Sequence, residues 1–161
     1  MSNALLVVDV QSYFMKDAPK DLPQRIVNHQ KALNYDHVVF ATFKNEPDSN
    51  FVKLMKWDKC DTDKDTQLPD EFSELVVDDN VFTRAAYSVF KTTNLHDYLQ
   101  KMKVERLVLC GVDSDACVLA TAFEAFDLGY HVKIGFDLTY SSNELHKAAQ
   151  LIAERNIVSR D

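Results

Sequence analysis

Three residues in this sequence have the types and positions that nucleophilic catalysis by cysteine requires: Asp9, Arg84 and Cys117. In such chemistry a carboxylate accepts the thiol proton and later returns it to a leaving group, while the thiolate attacks a carbonyl carbon. A nearby cation keeps the negative charges ionised. Each of the three residues follows an apolar run, so the sequence predicts nucleophilic catalysis by cysteine if the fold brings the ends of those runs together.

Cys117 is predicted in the first turn of a helix that begins near Asp115. The unpaired amides and the macrodipole at that end of a helix favour a thiolate. The amides of Ala116 and Cys117 could also form an oxyanion hole. The alternative is that Cys117 is a small buried hydrophobic residue, and that Asp9 is a hydrogen-bonded strand end.

Aromatic side chains predicted near the same place would form the walls of a substrate pocket. Phe14, Trp57 and Tyr87 lie on excursions from the strand ends, and aromatic walls suit a planar or small apolar substrate. Each of them could instead pack in the core. Gln11 is expected either to hold the substrate or to orient Asp9.

The elements that must position these residues alternate between strands and helices. Continuous apolar runs such as 4–8 and 106–110 are typical of strands buried on both faces, and apolar residues at helical spacing follow them. This alternation predicts an α/β fold, a three-layer α/β/α sandwich with a mostly parallel sheet of five or six strands, the last at 156–158. Ligands bind at the carboxyl ends of such strands. No linker or repeat interrupts the pattern, so residues 1–161 are expected to form one domain.

Composition excludes several classes of function. Only 3 glycines are present and they are not clustered, so both common phosphate-binding glycine loops are absent. A net charge of -7 argues against a nucleic-acid partner. No apolar run is long enough to span a membrane, no secretory signal is visible, and 3 cysteines do not suggest a disulfide framework. We therefore expect a cytoplasmic protein whose partner is a small-molecule substrate.

The segments that carry these residues resemble the isochorismatase-like cysteine hydrolases, a family that includes nicotinamidases. The similar segments are LLVVDVQ at 5–11, the Tyr-Ser pair at 87–88, and GVDSDACVLATA at 111–122. The resemblance implies that Asp9 is the catalytic aspartate and that Cys117 is the nucleophile. It also implies a non-proline cis peptide bond between Val112 and Asp113.

Arg84 departs from the family pattern, which places a lysine three residues before the Tyr-Ser pair. Arginine can hold a carboxylate through two hydrogen bonds, but it cannot lend a proton near neutral pH. Lys91 is an alternative source of the missing ammonium group. Two expectations remain open: an active hydrolase in which Arg84 acts electrostatically, or a catalytically impaired binding or assembly protein of the same fold.

The metal site of the nicotinamidases is not expected here. Those proteins resemble one another in a D-x-H motif after the second strand, where this chain reads TFKNEP at 42–47. The 5 histidines do not cluster at ligand spacing. We therefore expect no metal, no cofactor and no nicotinamidase activity, as in a metal-free branch of the family.

The resemblance implies a cofactor-independent hydrolase that cleaves a C–N (amide-type) bond of a small molecule through a thioester. Asp9 would deprotonate Cys117, and Arg84 would keep both groups ionised. Isochorismatases of the family cleave a vinyl ether without a cysteine nucleophile, so the thiol favours amides. Family members are commonly oligomers, which implies a homo-oligomer.

Overall fold

One parallel sheet of five strands, in the order β3-β2-β1-β4-β5, organises the computed structural model, which describes residues 1–160. The strands are β1 Ser2–Val8, β2 His37–Phe43, β3 Val81–Arg84, β4 Val104–Val112 and β5 His131–Tyr140. Strand β1 lies at the centre, and its alternate residues point into two different cores: Leu6 into one and Leu5 into the other. This is why the run at 4–8 is apolar without interruption.

Helices cover both faces of the sheet and complete the predicted three-layer α/β/α sandwich. The helices are α1 Leu22–Leu33, α2 Asn50–Met55, α3 Leu95–Lys101, α4 Cys117–Asp127 and α5 His146–Asn156. Buried residues of α3, α4 and α5 belong to one core, and those of α1 belong to the other. Within residues 1–160, no helix is both long enough and apolar enough to cross a bilayer.

Two predicted strand limits differ from the structure. The segment 156–158 is not a sixth strand, because it contributes only a single bridge between Val158 and Val132. Strand β4 does not stop before Gly111 but continues to Val112. The reason is that Gly111 keeps its pairing with β1, although the register with β5 shifts there.

Gly111 is required by the close approach of β4 to β1. Its φ is +112°, and a Cβ atom there would overlap the carbonyl oxygen of Val8. Gly129, which follows α4, has a φ of +98° but nothing within 4 Å of such an atom. A side chain at either glycine would therefore carry the free-energy cost of an unfavourable φ, but only a side chain at Gly111 would also clash with the backbone.

We expect Gly111→Ala to lower the free energy of unfolding by about 3 kcal/mol or more, because it adds a clash to an unfavourable φ. Gly129→Ala carries only the conformational cost and should lower it by about 1–2 kcal/mol. Urea denaturation followed by circular dichroism measures both values. Equal losses for the two variants would show that the approach of Gly111 to Val8 is unimportant.

Candidate active site

A buried ion pair joins the ends of two strands. Asp9 directly follows β1 and Arg84 is the last residue of β3, so both lie at the carboxyl edge of the sheet. The Arg84 guanidinium donates from Nη1 to Asp9 Oδ1 and from Nη2 to Asp9 Oδ2, the latter at 3.0 Å. The side chains are 0% and 1% exposed. Such a two-point contact fixes the orientation of the carboxylate as well as its charge.

The local backbone turns Asp9 towards this partner. Asp9 adopts a φ of +56°, and its amide donates to the carbonyl oxygen of Ala41 at 3.0 Å. Burial alone would lower the pKa of Arg84, but attraction to Asp9 outweighs it and raises the pKa. Arg84 therefore stays charged and takes no part in proton transfer.

Cys117 is the first residue of α4, and its thiol interacts with both members of the ion pair. Burial raises its pKa well above the ordinary value, the Asp9 carboxylate raises it further, and Arg84 opposes them. The thiol is therefore protonated at rest. This differs from the thiolate expected at a helix N-terminus, because burial and the carboxylate together outweigh the helix dipole.

The turn before α4 contains the cis peptide bond between Val112 and Asp113 that the family resemblance implies. The amide of Ala116 donates to the carbonyl oxygen of Asp113 at 3.1 Å, so it would have to leave this bond to serve in an oxyanion hole. The Cys117 amide has no backbone carbonyl partner among residues 1–160. Of the predicted pair of amide donors, the Cys117 amide is therefore the one without a competing backbone partner.

Side chains that follow β5 hold this turn in place, and the sequence analysis missed them. Ser142 Oγ donates to Asp113 Oδ2 at 2.6 Å, and Ser141 Oγ donates to Asp115 Oδ1 at 2.6 Å. Asn143 Nδ2 donates to Asp115 Oδ2 at 3.0 Å. The available signal was their position after a strand of the same sheet, at the same edge as Asp9.

These contacts affect the two carboxyl groups of the turn differently. Burial raises the pKa of Asp113, although the hydrogen bond from Ser142 opposes it. Burial also opposes ionisation of Asp115, but hydrogen bonds from Ser141 and Asn143 prevail and lower its pKa. Asp115 is therefore a fixed anchor of the loop, whereas Asp113 is a carboxyl group that lines the cavity.

A cavity of about 380 Å³ opens above Cys117, within the size range of small-molecule sites. Its lining residues are Asp9, Phe14, Phe43, Phe51, Met55, Trp57, Tyr87, Val112, Asp113, Ala116 and Cys117. The structure thus places Phe14, Trp57 and Tyr87 in the wall, where the sequence analysis expected them. Phe51 and Met55, which the sequence analysis did not include in the wall, lie on the short helix α2.

Gln11 does not line the cavity, and the prediction that it holds substrate or orients Asp9 is corrected. Its Nε2 donates to the carbonyl oxygens of Phe43 and Asp65 at 2.8 and 2.9 Å, and its Oε1 accepts from the Phe43 amide at 2.7 Å. The side chain is completely buried. Because its amide is fully used on backbone groups, Gln11 ties the segment around Asp65 to β2.

Two other candidate groups are placed away from the cavity floor. Lys91 lies in a neighbouring groove with Ser88 and Glu124, so it does not substitute for the absent lysine. Asn45, in the segment where nicotinamidases carry D-x-H, donates to the carbonyl oxygens of Trp57 and Lys59. Within residues 1–160, no group of three or more His, Cys, Asp and Glu side chains is placed to share a metal ion.

Comparison with known proteins identifies relatives over most of the chain. It is 30% identical over 154 residues to nicotinamidase 3 of Arabidopsis thaliana, covering 90% of this chain and 77% of that protein. It is 33% identical over 81 residues to a probable inactive nicotinamidase of the same plant, covering 50% of this chain and 41% of that protein. The solved structure of an isochorismatase-like hydrolase from Alkaliphilus metalliredigens has the same fold, with a TM-score of 0.83 at 19% identity, covering 98% of this chain and 93% of that one.

The family description "Isochorismatase domain" matches residues 3–157. This range contains both strand ends of the ion pair, the turn with the cis peptide bond and the start of α4. The chain therefore belongs to the isochorismatase family of hydrolases.

Proposed function

We propose that this protein hydrolyses a C–N bond of a small amide through a thioester on Cys117, without a metal or other cofactor. The observation that carries the proposal is the meeting of a thiol, a carboxylate and a fixed guanidinium beside the cavity. The relative named nicotinamidase 3 supports an amide as the scissile group. Three unpaired cysteines suit the reducing cytoplasm that we propose as its location.

The proposed reaction begins with transfer of the Cys117 proton to Asp9. The sulfur attacks the amide carbon, and the amide of Cys117 donates to the developing oxyanion. Collapse of the tetrahedral intermediate breaks the C–N bond, and the leaving amine takes the proton from Asp9. Asp9 then accepts a proton from the water that attacks the thioester. When the C–S bond breaks, Asp9 returns this proton to the sulfur, so that the acid is released and both the thiol and the carboxylate are restored.

Arg84 has an electrostatic role in this scheme. Its positive charge interacts with both Asp9 and Cys117. It therefore stabilises the negative charge when that charge is on Asp9 and also when the proton transfer has moved it to the sulfur. Because arginine cannot exchange its proton at this pH, Asp9 is the group that carries the proton through both halves of the reaction.

The protein is also proposed to be a homo-oligomer. An exposed groove beside the cavity is lined by apolar residues that include Leu54 and Met55, which are 73% and 67% exposed. Exposed apolar patches of this kind mark association sites. A monomer mass in sedimentation equilibrium would contradict this proposal.

Replacing Cys117 by alanine should abolish turnover of small amides, with a loss of about 10³-fold or more, because the covalent step is lost. A screen of small amides against the wild type first identifies a substrate, and the variant is then compared on it. The control is Cys60→Ala, which removes a buried thiol outside the cavity lining. Unchanged activity in Cys117→Ala would refute the proposal.

Arg84→Lys distinguishes an active enzyme from a catalytically impaired member of the fold. The second alternative matters because one relative is named a probable inactive nicotinamidase. If Arg84 supports catalysis, lysine loses one of the two contacts to Asp9, and kcat should fall roughly tenfold. If Arg84 impairs the site, lysine should raise kcat strongly. The same substrate and the same assay decide between the two.

Asp9→Asn should make Cys117 more reactive towards iodoacetamide while it abolishes turnover. The Asp9 charge raises the pKa of the thiol, so its removal lowers that pKa and increases the thiolate fraction at pH 7. Alkylation rates measured against pH report the shift, with Cys117→Ala as the blank and a circular dichroism spectrum as the check on folding. A slower alkylation in Asp9→Asn would contradict the assigned interaction.

A further inference from the structure

The aromatic wall of the cavity is a set of rings set at steep angles to one another. The centroids of Phe51 and Tyr87 lie 4.9 Å apart with planes at 66°, and those of Phe51 and Trp57 lie 5.9 Å apart with planes at 67°. Phe43 meets Phe51 at 5.1 Å and 88°. Rings in this arrangement surround a corner of the cavity instead of forming a flat stack, which is how aromatic side chains surround a cationic group.

One of these rings already binds a cation of the protein. The Arg84 guanidinium carbon lies 5.7 Å from the centroid of Phe43. The rings of Phe51, Trp57 and Tyr87 have no such partner in the described chain, and all three line the cavity. These three rings therefore border the cavity without a cation of the protein against them.

After the ion pair of Asp9 with Arg84 is set aside, the remaining ionisable side chain with a carboxyl group in the cavity lining is acidic, and no basic side chain of the described residues lines the cavity. Neither lysine, arginine nor histidine is among its lining residues, and the charged ones are Asp9 and Asp113. Asp9 is neutralised by Arg84, whose Nη2 also donates to the carbonyl oxygen of Tyr87 at 2.8 Å. Among residues 1–160, Asp113 is left as a partly exposed carboxyl group that forms no salt bridge.

This distribution discriminates between substrates by their charge. A substrate carboxylate would lose its hydration and find only another carboxylate and the faces of aromatic rings, which repel anions. A neutral substrate would gain apolar contacts alone. A quaternary or N-alkylated cation would gain both cation–π attraction to the rings and electrostatic attraction to the Asp113 carboxylate.

We propose, on the basis of the proposed function, that the substrate is a small amide with a permanent positive charge, held between the rings of Phe51, Trp57 and Tyr87 and the carboxylate of Asp113. The amide carbon then lies at Cys117 and the cationic group lies against the aromatic wall. The site is thus selective against acids and prefers a cation to an uncharged group of the same shape.

The test uses three para-substituted benzamides: 4-(trimethylammonio)benzamide, its uncharged isostere 4-tert-butylbenzamide, and the anionic 4-carboxybenzamide. Binding to Cys117→Ala is measured by isothermal titration calorimetry, so that turnover does not interfere. We expect the cation to bind at least tenfold more tightly than the isostere, and the anion to show no binding. Equal or tighter binding of the isostere, or measurable binding of the anion, would overturn the inference.

Variants in the same background locate the selectivity. Asp113→Asn should reduce the preference for the cation to about threefold or less, and it keeps an acceptor for Ser142 so that the turn is retained. Tyr87→Leu removes a half-exposed ring and should reduce the preference independently, without risk to the core. Asp78→Asn removes an exposed charge outside the cavity lining and should leave the preference unchanged. If Asp113→Asn and Tyr87→Leu both keep the full preference, the assigned site is wrong.

The two proposals fail in different ways. If the wild type hydrolyses amides but Cys117→Ala shows no preference for the cation, the inference about charge fails and the proposed function stands. If the preference is present but the wild type hydrolyses no amide, the hydrolase proposal fails and the cation site stands.

Discussion

The buried ion pair between Asp9 and Arg84 is the interaction on which the rest of the site depends. Two charges taken out of water are costly unless each meets the other with good geometry, and removal of either partner leaves an uncompensated buried charge. The sheet meets this requirement by placing the ends of β1 and β3 at one edge, with β2 between them. Asp9 completes it with a backbone conformation of positive φ that few residues adopt.

The pair also acts on the thiol of Cys117. A thiol at a helix N-terminus would ordinarily be expected to ionise, yet burial and the nearby Asp9 carboxylate raise the pKa of Cys117 well above its ordinary value, while Arg84 opposes them. In the proposed mechanism the thiol keeps its proton until Asp9 accepts it. Since Arg84 cannot exchange protons, that mechanism needs only one proton that moves between a sulfur and a carboxylate near a constant positive charge. The proposed scheme needs no separate acid and base, because the same carboxylate serves both half-reactions.

Periodicity and the ends of apolar runs were sufficient to predict the layers of the fold, and to place Asp9, Arg84 and Cys117 at one edge of the sheet. They could not predict what depends on the path of a loop. Gln11 was misjudged because its partners are backbone groups of Phe43 and Asp65, 32 and 54 residues away. The serines after β5 were missed because their contacts with the turn at 113–115 span 26 and 29 residues. The hydrogen bond of the Ala116 amide within the turn could not be predicted either, because such a bond leaves no mark on composition or spacing.

Arginine in place of the lysine of the family pattern has a consequence beyond proton transfer. A lysine contacts one oxygen at a time as a compact charge, whereas the planar guanidinium of Arg84 holds both oxygens of Asp9 and still donates to the carbonyl oxygen of Tyr87. The same group lies against the ring of Phe43. Arg84 therefore connects the Asp9 carboxylate to two residues of the cavity wall, Phe43 and Tyr87. In the proposed mechanism a change at this position alters substrate binding together with the chemical step, because one side chain contacts both the carboxylate and the wall.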